Sequence, residues 1–323
     1  MRFASHPCPS DYQFAVPTAY ISHPSSLRHE MGEGHPECPD RVSAIYDHLL
    51  MRGILDLMPP YEAPAATRAQ VARVHDTLYI AELEAAVPAE GYVHVDPDTA
   101  MNPHSLDAAW HAAGAVVLGA ELVARGEMQS AFCNVRPPGH HAERHQAMGF
   151  CFFNNVAVGI AHALGELGMD RVALVDFDVH HGNGSENIFA GDDRVLMVST
   201  FQQALYPFSG EAPLGPNMIN VGLPPRTGGD AMRSAVSERW LPALDKFRPD
   251  MIFISAGFDA HREDDMANMG WVESDYAWIT REVLKIANTH CNGRVVSTLE
   301  GGYNLSALGR SVAAHVKVLI GAD

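Results

Sequence analysis

VALVDFDVHHGNG, at residues Val172–Gly184, is the stretch that decides the fold of this 323-residue chain. It begins with an apolar run rich in β-branched residues, which is typical of a parallel strand buried on both faces. Acidic and imidazole side chains follow where that strand ends. In open α/β sheets, ligands bind beyond the carboxyl ends of the strands. The stretch therefore predicts an α/β fold with a functional site at that edge of its sheet.

Similar apolar runs alternate with helical patterns along the rest of the chain. The predicted strands are Thr18–Ser22, Gln70–His75, Ala131–Val135, Arg171–Asp176, Arg194–Thr200, Asp250–Ala256 and Arg294–Glu300. The predicted helices are Pro39–Leu50, Ser105–Ala124, Asn154–Leu167, Gly229–Lys246, Glu273–Asn288 and Leu305–Ile320. Long loops remain at His23–Glu37, Val87–Pro103, Arg136–Gly149 and Gln202–Pro225. This alternation predicts a three-layer α/β/α sandwich with a mainly parallel central sheet, and the length fits a single domain over residues 1–323.

Composition narrows the setting in which the chain works. Apolar residues make up 47% of it, and its five cysteines form no CxxC pair. No run of about 18 apolar residues occurs, which argues against a membrane span. The first residues lack the apolar stretch of a secretory signal. We therefore expect a cytoplasmic protein with reduced thiols.

The net charge of the chain indicates which classes of binding partner to expect. The formal net charge is −17 at pH 7, whereas binding to nucleic acid by charge needs Lys and Arg to neutralise phosphates. We expect no nucleic acid and no membrane among the partners. An acidic protein favours cationic substrates such as lysine-rich peptides or polyamines, although the solubility of an acidic surface explains the charge equally well.

Two predicted strand ends carry a candidate metal-ligand set. Asp178 and His180 follow the strand of the opening stretch, and Asp259 follows another in MIFISAGFDAH, residues Met251–His261. Two carboxylates and one imidazole leave a coordination position for water or substrate, which is typical of a catalytic metal. Structural metal sites are usually closed by four protein ligands. The three side chains therefore indicate a metal-dependent hydrolase, and such a ligand set could take iron or cobalt among other ions.

Two further strand ends carry candidate acid–base groups. His140 and His141 lie behind Pro-Pro-Gly, whose rigid backbone aims the imidazoles, and histidine is the usual general acid–base. Asp176 and Asn183 are candidates to orient this pair. Tyr303 follows two glycines in VVSTLEGGYN, and its hydroxyl can donate a hydrogen bond to an oxyanion.

Taken together, these motifs resemble the zinc-dependent histone deacetylase superfamily, which includes acetylpolyamine amidohydrolases and bacterial deacetylase-like proteins. Seven segments match in the expected order, and they span most of the chain: Gly34–Arg41, Val74–Ile80, Arg136–Ala142, Gly149–Asn155, Asp176–Gly184, Ser255–His261 and Glu300–Asn304. The Asn of HHGNG, the GFDA and the LEGGYN are more similar to class II than to class I members. The resemblance implies an arginase/deacetylase-like fold.

The resemblance also implies a role for each matching residue. Asp178, His180 and Asp259 match the ligands of one zinc ion. His141 matches the main general acid–base. His140 matches its electrostatic partner, bonded to Asp176. Other matches are Asn183 behind His141, where some relatives have Asp, and Tyr303 as the phenol that polarises the carbonyl.

Further matches concern the substrate tunnel and a second cation. Gly149 and Phe150 match one tunnel wall, Tyr206 stands in for the opposite aromatic wall, and Arg41 resembles the arginine of an inner acetate channel. Met266 occupies a position where polyamine-selective relatives can place Glu, while Asp265 beside it keeps a cationic substrate open. A structural monovalent cation, usually potassium, is implied at Ser199 and Thr200 with the carbonyls of Asp176, Asp178 and His180.

The predicted function is a zinc-dependent amidohydrolase that removes acetyl or another short acyl group from acylated amines, foremost acetyl-lysine in proteins or peptides. The alternative is an acetylpolyamine or other small acyl-amine deacetylase. An arginase-type enzyme would need a further acid for a second metal, but Gly182 follows His181. A non-catalytic acyl-lysine binding module is disfavoured because the histidine pair and the phenol are retained. The sequence leaves a homo-oligomer open.

Overall fold

The computed structural model describes residues 17–323 and has strands and helices in alternation. The strands are β1 (Thr18–Ser22), β2 (Pro60–Glu62), β3 (Val93–Asp96), β4 (Thr99–Met101), β5 (Ser130–Cys133), β6 (Val172–Asp176), β7 (Val195–Gln202), β8 (Met218–Leu223), β9 (Met251–Ala256) and β10 (Val295–Leu299). The helices are α1 (Asp40–Met51), α2 (Arg68–Val71), α3 (Thr77–Ala86), α4 (Ser105–Ala124), α5 (Asn155–Glu166), α6 (Asn183–Phe189), α7 (Gly229–Ala235), α8 (Leu241–Phe247), α9 (Glu273–His290) and α10 (Leu305–Leu319).

The central sheet has eight strands in the order β2-β1-β5-β10-β9-β6-β7-β8, and all of its strand pairs are parallel. One apolar core packs α4 and α5 against one face, and a second packs α1, α9 and α10 against the other. Helix α4 is apolar and long enough to cross a membrane, but 72% of its most apolar window is buried inside the protein. The three-layer α/β/α prediction is confirmed.

Several shorter elements differ from the prediction. The strand predicted at Gln70–His75 is wrong, because Thr67 and Gln70 form a capping box that starts α2 there. The loops predicted at Gln202–Pro225 and Val87–Pro103 contain β8 and the β3–β4 hairpin. The helix predicted at Gly229–Lys246 is divided into α7, a π-helical turn and α8.

The sheet order explains why distant segments meet at one site. Strands β5, β10, β9 and β6 are consecutive neighbours in the middle of the sheet. Because they are parallel, their carboxyl ends lie at the same edge. The loops that follow these four strands carry the histidine pair, Tyr303, Asp259 and the Asp178–His180 pair.

Candidate active site

The predicted metal ligands converge at this edge of the sheet. One ligand atom each from Asp178, His180 and Asp259 lies within 4.8 Å of the other two, and all three residues are buried. The Nδ1 atom of His180 lies 3.1 Å from Asp178 Oδ1 and 3.1 Å from Asp259 Oδ2. Asp259 Oδ2 is buried and accepts no hydrogen bond. A buried carboxylate oxygen without a donor is costly unless a cation is near, so the set fits a metal ion.

The pKa values of the two ligand carboxylates, Asp178 and Asp259, are shifted in opposite directions. Burial would raise the pKa of Asp178, but the imidazoles of His140 and His180 hold it well below its usual range. Burial and the neighbouring Asp178 charge raise the pKa of Asp259 to about 6. Two buried acids this close repel each other, and positive charge between them relieves that repulsion.

Glycines make room for the carboxylates. A Cβ atom on Gly301 would lie 2.1 Å from Asp259 Oδ2, and one on Gly257 would lie 2.0 Å from Asp178 Oδ2. The backbone N–H of Gly301 also donates to Asp178 Oδ2 at 2.8 Å. The absence of a side chain at these two positions therefore lets the backbone approach and orient the ligands.

The two neighbouring histidines have different partners. His140 Nδ1 donates to Asp176 Oδ2 at 3.1 Å, and His141 Nδ1 donates to Asn183 Oδ1 at 2.8 Å. Burial would lower the pKa of His140, but the carboxylates of Asp178 and Asp176 raise it to about 10. Burial lowers the pKa of His141, with His140 and His180 adding to the effect. These surroundings favour the charged form of His140 and the neutral form of His141, and a neutral imidazole can accept a proton.

Glu300 holds the histidine loop in place, a contact that the sequence interpretation missed. Its Oε2 accepts from the backbone N–H groups of Gly139 and His140 at 2.7 and 3.1 Å, and its Oε1 accepts from Ser255 at 3.1 Å. Burial raises the pKa of Glu300 to about 7. The signals in the sequence are its place at the end of the β10 run and its position in the matching segment Glu300–Asn304.

A cavity of about 240 Å³ leads to the ligand set, and we call this cavity the tunnel. Seven of its nine lining residues were predicted as site residues, and two, Asp98 and Leu205, were missed. The lining consists of Asp98, His141, Gly149, Phe150, His180, Leu205, Tyr206, Met266 and Tyr303. The rings of Phe150 and Tyr303 meet edge to face with centroids 6.0 Å apart. The predicted walls and the phenol therefore lie together. Asp98 comes from the turn of the β3–β4 hairpin, which the sequence interpretation treated as loop.

Arg41 does not line the tunnel but lies behind Tyr303. It is fully buried, donates from Nε to the Gly302 carbonyl at 2.7 Å, and places its guanidinium 4.7 Å from the centre of the Tyr303 ring. Glu37 accepts from Arg41 at 3.0 Å and also binds Arg136. Arg41 thus packs against the segment that carries Tyr303, and the predicted acetate channel stays a prediction.

Asp264, which the sequence interpretation also missed as a support, holds the residues at the tunnel end. Its Oδ2 accepts from the backbone N–H groups of Tyr303 and Asn304 at 2.6 and 2.9 Å. Its Oδ1 accepts from that of Met266 at 3.1 Å. One buried carboxylate therefore sets the positions of two tunnel residues that come from different strands' loops.

The predicted second cation site lies beside β6 and β7. Ser199 is the register partner of Asp176 in the sheet, so the predicted residues are adjacent. Thr200 Oγ1 is buried and has no hydrogen-bond partner, whereas Ser199 Oγ donates to Asn220 Oδ1 at 3.2 Å. An unpartnered hydroxyl oxygen is compatible with an oxygen-liganded cation.

Comparison with known proteins agrees with this geometry. The family model described as "Histone deacetylase domain" matches residues 35–319. A probable deacetylase of Archaeoglobus fulgidus is 36% identical over 89% of this chain and 82% of its own length. The histone deacetylase-like amidohydrolase of Pseudomonas aeruginosa is 36% identical over 84% of this chain and 73% of its own length. Some relatives are longer, since the chain spans 21% of type-2 histone deacetylase 2 of Dictyostelium discoideum.

A solved structure gives the same result in three dimensions. The crystal structure of the HDA15 HD domain has a TM-score of 0.88 to this protein at 32% identity, covering 95% of this chain and 90% of that one. The chain belongs to the histone deacetylase family and is a deacetylase, a hydrolase of amide bonds.

Proposed function

We propose that this deacetylase binds one zinc ion and removes acetyl or another short acyl group from acylated amines, foremost acetyl-lysine in peptides or proteins. The observation that supports the proposal best is the tunnel itself. Its walls include Phe150, Leu205 and Met266, and a phenol, a neutral imidazole and a buried ligand set meet at its end. An apolar wall suits the methylene chain of an acylated lysine.

Asp178, His180 and Asp259 would hold the zinc ion, and the set leaves coordination positions free for water and substrate. When bound, zinc polarises the amide carbonyl and lowers the pKa of water toward neutrality. A structural potassium ion beside Ser199 and Thr200 is part of the same proposal, supported by the unpartnered Thr200 hydroxyl.

Side chains of the protein would transfer the protons and stabilise the developing negative charge. His141, kept neutral by burial, takes a proton from water through Nε2, because its Nδ1 is engaged by Asn183. The Tyr303 hydroxyl donates to the oxyanion that forms on the former carbonyl oxygen. His141, or the histidine pair, then protonates the leaving amine, and a carboxylic acid and a free amine result.

A small polycationic amide is the second candidate substrate. Asp98 places a carboxylate in the tunnel lining, and Asp265 lies next to Met266. A carboxylate near the tunnel would attract the distal ammonium of an acetylated polyamine. The neutral Met266 side chain favours the peptide over this candidate.

The test compares kcat/KM for an acetyl-lysine peptide and an N-acetylated polyamine, using zinc-loaded and chelator-treated protein. Faster turnover of the peptide supports a protein deacetylase, and faster turnover of the polyamine supports the second candidate. Bound zinc without hydrolysis of either substrate would contradict the proposal and favour a binding module. A content near two zinc ions per chain would favour a dimetal enzyme.

A further inference from the structure

Glu143 stands behind the proposed base without touching it. The Nδ2 group of Asn183 donates to Glu143 Oε1 at 2.7 Å, and the Oδ1 atom of the same amide accepts from His141 Nδ1 at 2.8 Å. Glu143 is half-buried and lines a cleft of about 550 Å³ that includes Asn183, Met148 and Glu211 but none of the three metal-ligand residues. A continuous line of hydrogen bonds therefore runs from this cleft to His141.

The amide of Asn183 can bind His141 in two orientations that are not equivalent, whereas the two oxygens of a carboxylate are equivalent. The two ends of an amide have nearly the same size and opposite hydrogen-bonding character. If the amide were reversed, its NH₂ would donate to His141 Nδ1, and the imidazole proton would move to Nε2. That tautomer has no lone pair on the nitrogen left for the reaction. His140 avoids the problem because its partner, Asp176, is a carboxylate.

The surroundings of Asn183 Nδ2 consist of acceptors. Besides Glu143 Oε1, the group faces Met148 Sδ at 3.3 Å and the His141 carbonyl at 3.5 Å. An ionised carboxylate only accepts hydrogen bonds, so a reversed amide would set Oδ1 against Glu143 Oε1. Leaving two partly buried oxygens in contact and a donor unpaired costs more than an ordinary hydrogen bond contributes.

The backbone around Glu143 is fixed on both sides. Its N–H donates to the Gln146 carbonyl at 2.9 Å, and the preceding carbonyl of Ala142 accepts from Asn154 Nδ2 at 3.2 Å. The next residue, Arg144, donates from its side chain to the Ile188 carbonyl at 2.7 Å. The carboxylate is thus presented to Asn183 by a segment with little freedom to move away.

We propose that Glu143 is a positioning residue, which fixes the amide of Asn183 and through it the Nδ1-protonated tautomer of His141. The inference rests on the proposed role of His141 as the base. It adds a residue that lies outside the tunnel lining and the metal-ligand set, and it explains how a neutral amide can replace a carboxylate behind this histidine while the orientation of the hydrogen bond is kept.

The first experiment exchanges the acid and the amide. Glu143→Gln keeps the shape of the side chain but can donate as well as accept, so both amide orientations become possible, and kcat should fall about 10-fold with little change in KM. Asn183→Asp places two carboxylates against each other and should also lower kcat. The double variant Glu143→Gln/Asn183→Asp restores one donor and one carboxylate in exchanged places, so kcat should return to within about threefold of wild type.

The second experiment reads the tautomer directly. Imidazole ¹⁵N shifts of His141, assigned by comparison with His141→Gln, should report a proton on Nδ1 in the wild type and a mixture in Glu143→Gln. Glu211→Gln, which changes another acid of the same cleft, should leave kcat and the tautomer as in the wild type.

The experiments distinguish a failure of the role of Glu143 from a failure of the proposed function. Losses that simply multiply in the double variant, or a single tautomer in Glu143→Gln, would overturn the role of Glu143. A wild-type protein that binds zinc and hydrolyses no acyl amide would instead overturn the proposed function, while the ¹⁵N shifts would still decide whether Glu143 sets the tautomer.

Discussion

Gly301 has no side chain, and the carboxylates of two metal-ligand residues occupy the space that a side chain there would take. A Cβ atom there would lie 2.1 Å from Asp259 Oδ2 and 2.6 Å from Asp178 Oδ2. Gly301→Ala should therefore displace both carboxylates and weaken zinc binding by about 10- to 100-fold. Competition with a chromogenic chelator measures this affinity. Gly228→Ala is the matched control, because a Cβ atom there meets nothing within 4 Å, and equal zinc affinity in both variants would refute the argument.

Tyr303 carries the next prediction at this scale. Its ring lines the tunnel, and burial raises the pKa of its hydroxyl well above 10.0, so the hydroxyl keeps its proton and can donate it to an oxyanion. Tyr303→Phe should lower kcat by about 10²–10³ with zinc content unchanged, as loss of one oxyanion donor does. Steady-state kinetics beside Tyr92→Phe, which alters a phenol outside the tunnel, provides the test. Turnover near that of the wild type would remove Tyr303 from the mechanism.

The sequence predicts the residues of the site itself better than it predicts the residues that hold them in position. Asp178, His180, Asp259 and the histidine pair were found because each follows an apolar strand that is buried at every position. Glu300, Asp264, Asp98 and Glu143 were missed as supports. Glu300 and Asp264 bind backbone groups 161 and 39 residues away, and such contacts have no spacing that a sequence displays.

Burial on both faces decides which elements could be predicted. Strands β6, β9 and β10 are buried at every position, so they read as continuous apolar runs. The outermost strands lack that signal, since β2 has only three residues and none is buried, and β8 is buried only at Met218 and Leu223. The error at Gln70–His75 has another cause, because its apolar valines pack from a helix and the following turn rather than from a strand.

His315 on α10 links three elements and predicts a pH effect. Its Nδ1 contacts Thr280 Oγ1 of α9 at 2.6 Å, and its Nε2 contacts Ser297 Oγ of β10 at 2.9 Å. Burial lowers its pKa from 6.5 to about 3. Below pH 6.5, His315 therefore binds a proton in the unfolded chain but stays neutral in the folded chain. As the pH falls from 6.5 to about 3, this difference lowers the free energy of unfolding by about 1.4 kcal/mol per pH unit.

Urea unfolding at pH 7, 6 and 5 tests the sign and the slope. His315→Gln should reduce the decline in unfolding free energy between these values, whatever its effect at pH 7. The exposed His94 gives the control variant His94→Gln, which should keep the wild-type slope. A wild-type slope in His315→Gln would mean that other groups govern the acid sensitivity.

At the scale of the whole molecule, the acidic charge leads to a prediction about substrate encounter. The net charge of −17 attracts cations over distances that salt shortens, from about 30 Å at 0.01 M to about 3 Å at 1 M ionic strength. For a lysine-rich acetylated peptide, kcat/KM should fall by about 10-fold or more across this range, because the charge mainly accelerates association. An uncharged acetyl-lysine amide should change much less, since it gains nothing from the field. Stopped-flow or initial-rate measurements of both substrates in the same salt series decide the matter: a parallel decline would trace the effect to the metal or the fold, and only a decline confined to the cationic peptide would assign it to the charge of the protein surface.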